Sequence, residues 1–333
     1  MLRDRWIIKH HHHHHHNGPL ITHLYTADPS AHVFNNRVYI YPSHDRETDI
    51  QFNDNGDQYD MADYHDIPWV SKQLWAPDAA FRDGKYYLYF PARDHAGIFR
   101  IGVAVGDRPE GPFAPDAGPI RGSYSIDPAT FVDADADADG EAYMYFGGLW
   151  GGQLQCYQKG HDVFDAEWAG AREPRGPGAY ALGPRVARMS ADMRQFAGEG
   201  VREVEILAPE TGERLLADDH DRRFFEAAWV HKRDGLYYLS YSTGDTHYLC
   251  YATGTSPYGP FTYRGRILEP VLGWTTHHSI VEFQGRWWLF HHDCELSGGV
   301  NHLRSVKVKE IFYDGEGGLS LRSRSRVTGC FVG

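Results

Sequence analysis

The chain has 333 residues, 41% of them apolar and 14% aromatic, enough to bury one large core. Its 33 Lys and Arg against 45 Asp and Glu give a formal net charge of −12, which argues against nucleic acid and other polyanions as partners and suits a neutral ligand. No apolar run approaches the ~20 residues of a membrane span, and Cys156, Cys250, Cys294 and Cys330 have no CxxC spacing, so they imply neither a zinc site nor a disulfide framework.

Residues 1–17 contain the run His10–His16, read here as a tag rather than a natural metal-binding tract and left out of the fold. The start MLRDRWIIK has too short an apolar segment for a secretory signal, so the chain as given reads as cytoplasmic, or as exported if a leader has been replaced. Thr26–Asp45 (TADPSAHVFNNRVYIYPSHD) is an acid followed by a β-hairpin: alternating β-branched and aromatic residues flank Asn35-Asn36, a pair that tolerates positive φ. Arg46–Ser71 is polar and acid-rich without a period, an excursion expected to shape a pocket. LWAPD (74–78) then sets Trp75, a sugar platform or a core residue, and Asp78 before a second hairpin, AAFRDGKYYLYFPARD (79–94).

Ile101–Phe113 ends in a Gly-Pro-Phe that returns at Gly259-Pro260-Phe261, a sign of internal symmetry. A third hairpin, TFVDADADADGEAYMYFGG (130–148), contains acids at calcium-loop spacing, but the twelfth position from Asp135 is Phe146 rather than an acid, so an acidic turn explains it better. Trp150–Asp221 is an insertion: its Gly/Pro-rich middle reads as loop, Pro184–Ile206 as strands of a further blade sheet, and MSADMRQF (189–196) as a turn. Two more hairpins follow, AWVHKRDGLYYLSYSTGD (228–245) and SIVEFQGRWWLFHHD (279–293).

The hairpins themselves start at His32, Ala79, Thr130, Ala228 and Ser279, 47, 51, 98 and 51 residues apart. That is the period of four-stranded propeller blades with one interval doubled, so the expectation is an all-β, five-bladed β-propeller over 18–333 with its site on the central axis. Asp28, Asp78, Asp127, Glu226 and His277 each precede a hairpin. Any one of them alone would be a turn former, but five polar groups in register would ring the axis.

With these residues placed, the chain resembles glycoside hydrolase family 43 over residues 18 to 325, through TADPSAHVF, LWAPD, SIDPATF, FFEAAWV, THHSIVEF and RSVKV. The resemblance implies an inverting mechanism on pentosides, with Asp28 as general base, Glu226 as general acid and Asp127 raising and orienting Glu226. It further implies sugar contacts from Trp75, Asp78, Ile126, Phe225 and Arg304, and a calcium ion in the channel held through water by His277, with no organic cofactor. His278 is an alternative to His277, since strand alternation sends only one of them to the axis. As a bare sequence feature Arg304 is a surface strand residue.

The chemistry agrees with these roles: inversion needs a base and an acid about 6.5 to 9.5 Å apart with a water between, and Phe224, Phe225 and Trp229 would desolvate Glu226. The preferred reading is an exo-acting β-xylosidase or α-L-arabinofuranosidase acting on small oligosaccharides or aryl glycosides. An arabinanase or a retaining β-fructosidase-like propeller, with carboxyls about 5 to 5.5 Å apart, and a non-catalytic sugar-binding propeller are the alternatives.

Overall fold

The computed structural model describes residues 8–10, 18, 20, 26–44, 67–134, 140–168, 177–273 and 277–321. Most of the polar excursion at 46–71, the acidic turn at 135–139 and Cys330 lie outside the described residues.

The strands form five sheets in chain order. The first sheet is β1 (Ile8–His10), β2 (Thr26–Phe34) and β3 (Arg37–His44); the second is β4 (Asp78–Arg82), β5 (Lys85–Arg93), β6 (Phe99–Gly106) and β7 (Ala114–Pro115). The third holds β8 (Ala129–Val132), β9 (Ala142–Phe146), β10 (Arg185–Met189) and β11 (Phe196–Glu203). The fourth holds β12 (Ile206–Leu207), β13 (Glu226–Arg233), β14 (Leu236–Ser242), β15 (Leu249–Gly254) and β16 (Phe261–Leu268). The last comprises β17 (His278–Phe283), β18 (Arg286–Asp293), β19 (Ser305–Tyr313) and β20 (Leu319–Ser320). Strands β2, β4, β8, β13 and β17 pack against one another in a closed cycle, and the other strands of each sheet fan outward. This is a propeller arrangement. Thr26 N–H donates to the Arg304 carbonyl (2.8 Å) and Leu20 N–H to the Val306 carbonyl (2.9 Å), joining the start of the chain to the last sheet.

Local chemistry explains the hairpins. Asn35-Asn36, Asp83-Gly84, Asp234-Gly235 and Gln284-Gly285 all have positive φ at both residues, the geometry whose twist matches that of the flanking strands. The aromatic second strand of the first four units has a further use. Tyr41 on β3 donates its hydroxyl to the Pro109 carbonyl (2.6 Å), Tyr89 on β5 to Met193 (2.7 Å), Tyr145 on β9 to Pro257, and Tyr238 on β14 to Gly317 (2.7 Å). Each acceptor lies in the turn between the third and fourth strands of the next sheet. The repeated tyrosines therefore fill the core and join neighbouring sheets. Ile101, Met144, Val186 and Leu239 are fully buried between sheets, and each such side chain contributes about 1.5–3 kcal/mol of transfer free energy.

The two Gly-Pro-Phe segments occupy matching places, between the outer strands of the second and fourth sheets, with Phe113 and Phe261 both buried. Three findings depart from the sequence reading. Strands in Pro184–Ile206 are the outer half of the third sheet itself, not a further blade: β10 pairs with β9, because the insertion leaves after the second strand and returns to it. Ile206–Leu207 crosses over to pair in parallel with β16. Ile8–His10, left out of the fold, pairs with β3. The loop of the insertion carries short 3₁₀ turns at Trp150–Gly152, Leu154–Tyr157 and Ala166–Trp168, and 190–195 is a turn as expected. Among the described residues no helix is long and apolar enough to cross a membrane.

The tyrosine links are testable with one atom. Tyr89→Phe keeps the ring but leaves the buried Met193 carbonyl without its donor, so stability should fall by about 1–3 kcal/mol. Urea unfolding should show the loss with an unchanged m-value, and hydrolytic activity should stay at the level of the parent protein.

Candidate active site

Asp28, Asp127 and Glu226 stand where β2, β8 and β13 begin, and the backbone is bent at each. Asp28 (φ 52°), Asp127 (φ 60°) and Ala227 (φ 63°), next to Glu226, are left-handed. Pairing slips between Ala27 and Ser30 in β2 and between Glu226 and Trp229 in β13. Such bulges re-aim a side chain that strict alternation would send into a sheet face. Asp tolerates this conformation; for Ala227 it costs on the order of 1–3 kcal/mol, a strain retained only where the surroundings impose it.

A bulge frees backbone groups, and the last sheet takes them up. Asp28 N–H donates to His292 Nδ1 (2.9 Å), Ala31 N–H donates to Ser279 Oγ (2.9 Å), and that hydroxyl donates to the Pro29 carbonyl (2.5 Å). Neither His292 nor Ser279 was singled out from the sequence, although His292 lies in the HHD that ends the fifth repeated unit.

The side chains then converge. Asp28 Oδ2 accepts from Ser43 Oγ (2.8 Å), while its Oδ1 lies 3.4 Å from Arg304 Nη1, 3.6 Å from His292 Nδ1 and 3.9 Å from His277 Nδ1. Asp127 Oδ2 accepts from Ala227 N–H (3.0 Å), and its Oδ1 is 3.8 Å from His277 Nδ1. His277 thus stands between the two aspartates. His278 turns the other way, with Nε2 2.5 Å from Ser240 Oγ, so alternation selects His277. Arg304 is buried against Asp28 rather than at the surface. Asp28 and Asp127 are buried, whereas Glu226 keeps an intermediate exposure.

Electrostatics separates the three acids. Burial would raise Asp28, but Arg304, His277, His292 and the Ser43 hydroxyl outweigh it and hold the carboxyl at about 2. Glu226 is pushed up to about 8, by burial first and by the Asp28 charge second, with Arg304 opposing. Asp127 is also raised well above the carboxylate range, by burial and then by Glu226 and Asp28, against the Ala227 N–H and Arg304. The sequence reading made Asp127 the charge that raises Glu226; here burial leads, Asp28 is the nearby anion, and Asp127 competes with Glu226 for a proton.

The remaining expected residues fall in the surroundings. Ile126 is beside Glu226: a Cβ on Gly148 would stand 2.7 Å from Ile126 Cδ1 and 3.2 Å from Glu226 Cβ, so only glycine lets the chain pass there. Ile126 packs with Trp75 and Phe99 in a small apolar cluster, the Trp75 and Phe99 rings 4.9 Å apart. Phe225 is buried edge-on to Trp150 (5.2 Å). Asp78 departs from its expected sugar contact: it has no exposed surface, and both its oxygens accept bonds from the protein.

Calcium prefers oxygen ligands. Around His277 the two carboxylates are already engaged by Ser43, Arg304 and the Ala227 N–H, and among the described residues no group of three or more His, Cys, Asp or Glu side chains is placed to hold a metal. These residues do not form a calcium site by themselves.

The family model of glycosyl hydrolases family 43 matches residues 21–165 and 182–318. A xylosidase/arabinosidase 43A of Humicola insolens is 76% identical, with 90% of this chain and 97% of the relative covered. A xylosidase/arabinosidase of Bacteroides ovatus is 54% identical, covering 88% and 93%. Among solved structures, a β-xylosidase/α-arabinofuranosidase from a compost microbial metagenome, in complex with xylotriose and in a calcium-free form, superposes with a TM-score of 0.86 at 55% identity, covering 92% of this chain and 98% of its own. The chain is a glycoside hydrolase and belongs to glycosyl hydrolases family 43.

Proposed function

We propose that this hydrolase inverts configuration and works from chain ends, releasing single xylose or arabinose units from hemicellulose-derived oligosaccharides. The observation that carries the reading is the division of the acids, Asp28 held ionised and Glu226 held protonated in one cluster. Asp28 takes a proton from water as that water attacks the anomeric carbon; Glu226, the more exposed acid, gives its proton to the leaving oxygen. Asp127, bonded to the backbone next to Glu226, orients that acid. Arg304 presents a planar set of donors to sugar hydroxyls, and Trp75, Ile126 and Phe225 give the pocket an apolar wall. The pentose specificity rests on the named activities of the Humicola and Bacteroides relatives. The three-stranded sheet completes a ring of five blades, and any cation beside His277 is held mainly by water.

Asp28→Asn and Glu226→Gln should each lower kcat on xylobiose by about 10²- to 10⁴-fold while circular dichroism stays unchanged; near-normal turnover by either variant would remove the assignment. An aryl xyloside with a good leaving group is a poor test for Glu226, because that oxygen needs little protonation.

The activity limb at high pH follows loss of the proton shared by Asp127 and Glu226. Asp127→Asn removes the repulsion that opposes that loss, so the limb should move to lower pH, while staying above the range of an ordinary carboxyl because desolvation and the Asp28 charge still act on Glu226. A pH–rate profile in which the limb does not move would leave Asp127 with orientation alone.

Stereochemistry and mode are read together by proton NMR. A β-linked xyloside should yield α-xylose first, and xylotriose should release xylose from its end. Initial β-xylose would mean retention, and a mixture of early oligomers would mean an open cleft.

A further inference from the structure

We infer that Asp78 is a positioning residue, a buried carboxylate clamp that sets the strand carrying Asp28 against the strand carrying Asp127. The inference rests on the roles proposed above for those two acids.

Asp78 lies on β4, between β2 and β8 in the inner cycle. It is completely buried, so no substrate reaches it. Its Oδ1 accepts from Ser30 Oγ (2.5 Å) and lies 2.8 Å from His32 Nε2, and those two atoms are 2.9 Å from each other. Since Ser30 has one hydroxyl proton and gives it to Asp78, its oxygen can only accept from His32, which places the His32 proton on Nε2, shared between Ser30 Oγ and Asp78 Oδ1. Asp78 Oδ2 accepts from the Thr130 backbone N–H. Three donors on two neighbouring strands therefore meet one carboxylate, whose charge strengthens each bond.

Position gives the clamp its consequence. Ser30 is where regular pairing resumes after the Asp28 bulge, and Thr130 comes three residues after Asp127. A bulge leaves its strand free to slip locally, and the Ser30 bond stops that movement one step from the bent residues. Two of the three donors are on β2, so the clamp bears chiefly on Asp28 and the water it activates. An amide in place of the carboxylate would turn its NH₂ toward either Thr130 N–H or the Ser30–His32 pair, donor against donor. A displacement of about 1 Å in a catalytic group can cost up to about 10²-fold in rate.

The test uses Asp78→Asn, Ser30→Ala and the parent protein, with kcat and KM on xylobiose and on an activated aryl xyloside, the inhibition constant of xylose, and thermal unfolding. Asp78→Asn should lower kcat about 10- to 100-fold on both substrates alike, since work done at the attacking water is independent of the leaving group. KM and xylose inhibition should stay within about twofold, because no sugar contact is lost. Ser30→Ala should show a smaller fall of the same kind, about 3- to 10-fold. A raised KM with kcat retained would overturn the inference in favour of a sugar contact, and a lowered melting temperature with unchanged kcat would reduce Asp78 to a tie in the fold. If Asp78→Asn does not fold, parental kcat in Ser30→Ala overturns the inference. Failure of the parent protein to hydrolyse either pentoside would overturn the proposed function instead.

Discussion

Gathering three carboxyl groups in one poorly hydrated cluster, two of them buried, is the constraint on which the rest of this structure depends. A carboxylate removed from water without partners neutralises itself by taking a proton. The propeller supplies partners to one acid and withholds them from another. Asp28 has Arg304, two imidazoles and the Ser43 hydroxyl, and it stays ionised; Glu226 has Asp28 as its anionic neighbour, and it keeps its proton. The same asymmetry affects stability in opposite directions. The contribution of Asp28, whose pKa is lowered, is present above the ordinary aspartate value and is lost as pH falls toward about 2. That of Glu226, whose pKa is raised, is present below the ordinary glutamate value and is lost as pH rises toward about 8, so at neutral pH this acid works against folding.

Such a cluster needs a rigid frame whose parts come from distant places in the chain. The groups that hold Asp28 lie on β3 (Ser43), just before β17 (His277), on β18 (His292) and just before β19 (Arg304). A closed ring of inner strands brings the ends of the chain together at this point; tyrosine links from the second strands of the first four sheets tie each to the next, and the Thr26 and Leu20 backbone bonds tie the first sheet to the last. Bulges at Asp28 and after Glu226 then aim the acids inward. Their local strain is tolerated because side chains of other sheets bond the backbone groups that the bulges release, Ser279 and His292 for Asp28 and Asp127 for Ala227.

The sequence by itself determined the repeating units and the acids before them. Hairpin turns need residues that accept positive φ, strands need aromatic and β-branched residues, and both requirements are local, so Asn35-Asn36, Asp83-Gly84 and the YYLYF-type second strands declare themselves. The recurrence of Asp28, Asp127, Glu226 and His277 before such units followed from spacing alone. Only the tertiary structure decided what surrounds them. That β10 returns to β9 across the long insertion depends on contacts between residues far apart in the chain. That Asp78 turns to Ser30 and Thr130 instead of toward a ligand depends on three adjacent strands. Which acid stays charged was also decided there, because burial and neighbouring charge act through space, and the neighbours of Asp28 include Arg304 and His292, more than 260 residues further along.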